Sequence, residues 1–128
     1  MLTTPPRPTD AELAILRVLW ARGPSTVRQA VDVLRRDRPT GYTTVLKLLQ
    51  IMLEKGLVVR DESDRTHVYR AKLSEEQTQR QLVRDLLDRA FDGSVVRLVT
   101  QALGARRPSR EELVEIRRLV DERLKEMP

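Results

Sequence analysis

A chain of 128 residues with a formal net charge of +5 and a pI near 10.2 has room for one globular domain, or for a small binding domain with an appendage, and too little for a typical two-domain enzyme. The absence of cysteine excludes disulfides, thiolate metal sites and cysteine nucleophiles together. No stretch approaches the roughly 20 apolar residues of a membrane span, and the proline-rich start, 1–9, has no secretory apolar run, so a cytoplasmic chain without membrane binding is expected.

In chain order, Thr9-Asp10-Ala11-Glu12 has the form of a capping box, in which a hydroxyl and a carboxylate satisfy the free N–H groups at a helix start. The helix that follows is expected to bury Leu13, Leu16, Leu19 and Trp20 and to stop at Gly23-Pro24. Thr26 to Gln29 repeats the capping pattern and opens a short helix with Val27, Ala30 and Leu34 inward, ended by Arg35-Arg36 and Pro39. A third helix is predicted from Thr43 to Lys55. At 100° per residue, Val45, Leu48, Leu49, Met52 and Leu53 share one arc, with Thr43, Lys47, Gln50 and Glu54 opposite. Gly56 then stands where a left-handed cap would end it. Leu57–Asp61 and Thr66–Ala71, rich in β-branched and aromatic residues, flank the polar turn Glu62-Ser63-Asp64-Arg65 and predict a hairpin.

Three short helices followed by a two-stranded ribbon is the winged helix-turn-helix arrangement, here predicted for residues 1–73. Residues 74–128 read as all helical. Ser74-Glu75-Glu76-Gln77 caps a helix with the stripe Leu82, Val83, Leu86, Leu87, Ala90 and Phe91, which Gly93 ends. The next runs from Ser94 to Leu103 with Val95, Val96, Leu98 and Val99 apolar, closed by Gly104. The last opens at Ser109 and aligns Leu113, Ile116, Val120, Leu124 and Met127. About 55 residues support only a marginal core, so these stripes are expected to meet across a homodimer interface. The expected class is thus mainly α with a small β-hairpin wing: a winged helix-turn-helix domain followed by a helical dimerisation domain.

Charge separates the two halves. Residues 1–73 hold 13 Lys/Arg against 8 Asp/Glu, whereas 74–128 hold 11 of each, so the entire cationic excess lies in the first half. A reader of double-stranded DNA needs cations for phosphates and short polar side chains at a helix N-terminus for base edges. Tyr42, Thr43, Thr44 and Lys47 occupy those opening turns, Gln50 lies one turn on, and Arg28 and Arg65 are placed to grip the flanking backbone. Thr43 is also a residue type common as a helix cap. The alternative partner for such a domain is another protein, docked on the winged helix without DNA readout.

Catalysis and cofactors find no support. His67, the sole histidine, stands without other metal ligands near it in sequence and reads as a strand residue, and Trp20 as core. Glu75-Glu76 and Glu111-Glu112 sit at helix starts, where carboxylates favour the helix dipole. No phosphate loop, zinc motif or nucleophile constellation is present, so no catalytic residue, metal or cofactor is expected.

The chain resembles the BlaI/MecI penicillinase-repressor family of winged-helix regulators. The resemblance rests on Ala11-Glu12 with Leu19-Trp20, on Gly41-Tyr42-Thr43-Thr44-Val45, on Leu53-Glu54-Lys55-Gly56-Leu57-Val58, and on Val68-Tyr69. It implies a homodimeric repressor on a pseudo-palindromic operator. In the β-lactam branch it further implies a membrane-bound sensor metalloprotease that triggers cleavage in the C-terminal domain, by itself or through a downstream protease. Gln101-Ala102 matches the Asn-Phe bond cut in staphylococcal-type members. Leu46 and Ile51 stand where those members have arginines and Lys47 where they have threonine, so the operator should differ in detail. The cysteine pairs of the copper-responsive branch have no counterpart here.

Overall fold

The computed structural model describes residues 6–128; residues 1–5, the start of the proline-rich stretch, lie outside the described residues. The elements run α1 (Asp10–Arg22), α2 (Val27–Leu34), α3 (Tyr42–Lys55), β1 (Val58–Asp61), β2 (Val68–Ala71), α4 (Glu75–Ala90), α5 (Val95–Ala105) and α6 (Arg110–Lys125). The chain divides into two compact units, Met1–Val83 and Arg84–Pro128, so the opening turns of α4 belong to the unit that carries the hairpin.

In the first unit, α1, α2 and α3 pack on one another, with α1 also against β2 and α3 against β1. Both helix starts are capped as their spacing requires. The Thr9 hydroxyl accepts the Glu12 N–H at 3.2 Å while Glu12 Oε1 accepts the Thr9 N–H at 2.9 Å, and Thr26 with Gln29 repeats both distances. These bonds satisfy orphan helix donors and set where each helix begins. From there the core is built from Ile15, Leu16, Leu19, Ala30, Val31, Val45, Leu49, Met52, Val58 and Tyr69.

The buried face of α1 is rotated from the expected one. Leu16 and Leu19 are buried, together with Ile15, Val18 and Glu12, whereas Leu13 and Trp20 are only half-buried. Leu13 and Trp20 instead line an open groove with Ala14, Val33 and Glu75. The Trp20 indole is not simply core: Nε1 donates to the Leu73 carbonyl at 3.0 Å, tying α1 to the residue that leads into α4. α3 matches its pattern, with Val45, Leu49 and Met52 buried and Leu48 and Leu53 packed against the core. Gly56 ends it in the left-handed region, φ 79 and ψ 22, which a residue with a Cβ adopts at a cost.

The hairpin is shorter than its apolar runs. β1 and β2 pair antiparallel with Val58 opposite Ala71 and Asp61 opposite Val68, leaving Leu57, Thr66 and the exposed His67 outside the strands. A third piece of backbone joins them: the Ser25 N–H donates to the Tyr69 carbonyl at 2.9 Å and the Tyr69 N–H to the Ser25 carbonyl at 2.8 Å. The loop between α1 and α2 thereby becomes an edge of the wing sheet.

Ser74 and Gln77 cap α4 reciprocally, and Gly93, φ 75, lies just beyond its end. Ser94 and Ser109 accept the N–H groups of Arg97 and Glu112 at the starts of α5 and α6. Gly104 does not close α5. The helix passes through it to Ala105, since a glycine inside a helix costs only about 1 kcal/mol and the actual stop comes at Arg106, whose backbone is extended ahead of Pro108. Neither α5 nor α6 buries a single residue, and among the described residues no helix is long and apolar enough to cross a membrane.

Candidate nucleic-acid interface

The polar face of α3 is built by what holds its other face. With Val45, Leu49 and Met52 locked in the core, the helical repeat turns Thr43, Lys47, Gln50 and Glu54 outward, and all four are exposed. The helix begins one residue earlier than expected. Its N-cap is Gly41, which has no side chain to bond the free N–H groups, so Thr43 is not the cap and its hydroxyl, like that of Thr44, is exposed. The unpaired N–H groups of this end attract anions.

Two further expected residues are brought together beside it. The Arg28 guanidinium lies over the Tyr42 ring, 5.2 Å from its centroid. A cation on an aromatic face at that range is worth about 0.5–1 kcal/mol at an exposed site and orders both side chains. Arg28 sits in the first turn of α2 and Tyr42 in the first turn of α3, so the two helix starts converge on one surface. Leu46 packs against the core, and Ile51 is half-buried.

Arg65 is exposed in the hairpin turn, but its company is acidic. Glu62 and Asp64 share the turn, and Asp61 ends the strand that enters it. Arg60 is ion-paired with Glu62, and Asp61 accepts the Ser63 N–H at 2.9 Å. That backbone bond, with a further bond from the Ser63 side chain, holds the Asp61 carboxyl below the usual aspartate range.

In the second unit and its approach, the residues expected at a dimer interface are incompletely covered within one chain. Val95 and Leu124 are each 61% exposed; Leu86, Val99, Leu113 and Val120 are also exposed, while Leu82, Leu87, Phe91 and Ile116 are half-buried. Gln101 and Ala102 are exposed in the second half of α5.

Two features escaped the reading of the sequence. Arg35, Arg36 and Arg38 form an exposed basic turn between α2 and α3; in the sequence the signal is a charge run, which by itself marks only a helix end. Glu12 is not only a cap: it is buried, and both its carboxylate oxygens lie 2.9 Å from Lys55 Nζ. No local pattern marks a pair 43 residues apart.

A model of the penicillinase repressor family matches residues 8–122. The chain is 43% identical over 61 residues to the transcriptional regulator BlaI of two Mycobacterium tuberculosis strains, a stretch covering 47% of this chain and 44% of those proteins. The match thus spans less than half the length of these curated relatives. Similarity to the penicillinase repressor of Bacillus licheniformis is lower, 22% identity, but runs over 117 residues and covers 91% of each chain.

Proposed function

Because the chain belongs to the penicillinase repressor family, we propose that it is a transcriptional repressor that binds a pseudo-palindromic operator in double-stranded DNA as a homodimer. The observation that carries this reading is the start of α3, where Thr43, Thr44 and Lys47 stand exposed with no cap of their own beside the Arg28–Tyr42 pair. In the major groove, threonine can bond an acceptor or rest its methyl on a thymine methyl, and Lys47 can reach a guanine edge. Gln50 extends that face by a turn. Tyr42, Arg28 and Arg65 then meet the phosphate backbone, which fixes register without reading sequence.

Titration of labelled operator fragments at several salt concentrations tests the proposal. Log affinity should fall against log salt by about 0.9 for each phosphate neutralised. Lys47→Ala should weaken operator binding by about 1–3 kcal/mol and relax preference at one position of each half-site. Equal weakening on every duplex would make Lys47 a phosphate contact. Failure to shift any duplex at low salt would overturn the DNA reading in favour of a protein-docking winged helix.

The homodimer is supported by apolar helices that one chain leaves uncovered. Helices of 11 and 16 residues with no buried side chain gain little stability alone, because helices of this length depend on packing an apolar face. A second copy supplies the missing surface by symmetry. Leu86→Asp would place an unpaired charge in that contact, at a cost that divides the dimer. Light scattering at low micromolar concentration should give the mass of one chain for the variant and of two for the parent; equal masses refute the assignment. Relief of repression completes the reading: cleavage within the C-terminal helices, at or near Gln101–Ala102, in response to a membrane-bound sensor metalloprotease, would release the dimer contact and with it the operator.

A further inference from the structure

The two loops available to a duplex backbone differ in sign. The turn that leads into α3 carries Arg35, Arg36 and Arg38 against the one carboxylate of Asp37, whereas the wing turn and the end of β1 that enters it carry Arg60 and Arg65 against Asp61, Glu62 and Asp64. Within the basic turn the arginines have separate jobs. Arg35 Nε donates to the Thr40 carbonyl at 2.7 Å, and the Thr40 hydroxyl donates to the Arg38 carbonyl at 3.1 Å, so the backbone is braced up to Gly41, the N-cap of α3. Arg36 and Arg38 are exposed and make no side-chain hydrogen bond or ion pair with any described residue. Residues Arg35 to Gly41 line one shallow concavity of about 690 Å³. In the wing, by contrast, Glu62 takes up Arg60, and the exposed Arg65 follows Asp64 directly in the chain, with Asp61 four residues before it.

We propose that Arg36 and Arg38, in the braced turn between α2 and α3, are the principal phosphate clamp of this protein, and that its acidic wing tip contributes little to holding the backbone. The inference rests on the DNA-binding reading above and assigns within it which loop carries the electrostatic grip. The physical ground is distance and sign. Guanidinium groups free of protein partners offer paired donors to a phosphate, and a braced backbone loses less freedom when they engage. Carboxylates within a Debye length of about 8 Å at physiological salt subtract from the attraction that Arg65 exerts.

The test compares the parent protein, an Arg36→Ala/Arg38→Ala double variant and an Arg65→Ala variant on one duplex between about 50 and 200 mM salt. All three substituted side chains are exposed and outside the core, so the fold should persist, which circular dichroism checks. The double variant removes two guanidiniums from each chain, four from the dimer, and should flatten the slope of log affinity against log salt by about 3.6, so that the affinity lost across this range falls roughly 150-fold short of the parent's loss. Arg65→Ala should flatten it by less than half as much. Flattening by Arg65→Ala that reaches half of the double variant's or more, or an unchanged slope in the double variant, overturns the assignment. A parent protein that binds no duplex, or binds with no salt dependence, sinks the DNA reading itself, so the two failures are distinguishable.

Discussion

Lys55→Ala should destabilise the hairpin-bearing unit by about 3–5 kcal/mol at pH 7, the cost of leaving a buried charge without its partner. The Glu12 carboxylate is 1% exposed, and Lys55 Nζ lies 2.9 Å from each of its oxygens. One of those oxygens also accepts the Thr9 N–H at 2.9 Å. Without the ammonium, the interactions with Thr9 are what still offsets desolvation among the described residues. The pair is asymmetric, because the Lys55 side chain remains 33% exposed and can reach water if it loses Glu12. Glu12→Gln retains the shape and the bond to Thr9, and should cost less than half as much as Lys55→Ala. Urea unfolding of the three proteins measures both quantities, and a Lys55→Ala deficit below about 1 kcal/mol would mean that the carboxylate finds solvent.

The same pair fixes the sign of a pH effect. Burial pushes the Glu12 carboxyl up, but the Thr9 backbone bond and the Lys55 ammonium, with a further contribution from the Thr9 side chain, outweigh it and hold the group below its ordinary value of 4.5. A carboxyl depressed in the folded state contributes stability that is complete above its unfolded value and is lost as pH falls through the folded one. The parent should therefore weaken below about pH 4.5 through this group. In Lys55→Ala the lowering by the ammonium is gone, so less is lost on acidification. The gap between parent and variant should shrink from pH 7 to pH 4, and a gap that widened would contradict the pairing.

Tyr69→Ala should cost a further amount of the same order, about 3–5 kcal/mol, as large aromatic truncations in packed cores do. Tyr69 is the largest fully buried side chain of the chain's described residues, and it sits on β2 where α1, the α1–α2 loop and the wing come together. The bridge to Ser25 is main chain to main chain, so alanine preserves it. What is lost is the ring volume between the helices and the sheet. Tyr69→Phe keeps that volume and removes only the hydroxyl on the residue that faces Arg60 across the strand pair, so it should cost only about 1 kcal/mol. A denaturant midpoint that falls with an unchanged m-value would locate the effect in stability rather than in a rearranged fold.

Much of the architecture was legible because its determinants are local. The reciprocal caps at Thr9/Glu12, Thr26/Gln29 and Ser74/Gln77 each span three residues, and a side chain three positions away can reach the N–H it must satisfy whatever the rest of the chain does. Gly56 announced the end of α3 by its freedom in the left-handed region. The polar face of α3 followed from period alone, since its apolar residues occupy a single arc. In α1 period alone does not fix the buried face: from Leu13 to Trp20 every residue but Arg17 is apolar, so no phase is preferred. The positions of α2 and α3 chose it, burying Ile15 and Val18 and leaving Leu13 and Trp20 in a groove.

The residue order by itself determined the capped starts of α1, α2 and α4, the existence of the hairpin, the segregation of positive charge into the first half and the face of α3 turned to solvent, because each depends on neighbours within about one or two helical turns. Only the tertiary structure decided the burial of Glu12 against Lys55, the seam between Ser25 and Tyr69, the stacking of Arg28 on Tyr42 and the bracing of the turn that carries Arg36 and Arg38. The first three join groups on different elements, and the bracing runs through hydrogen bonds across an irregular turn. Helical and strand periods govern neither, so these arrangements exist only once the elements have packed.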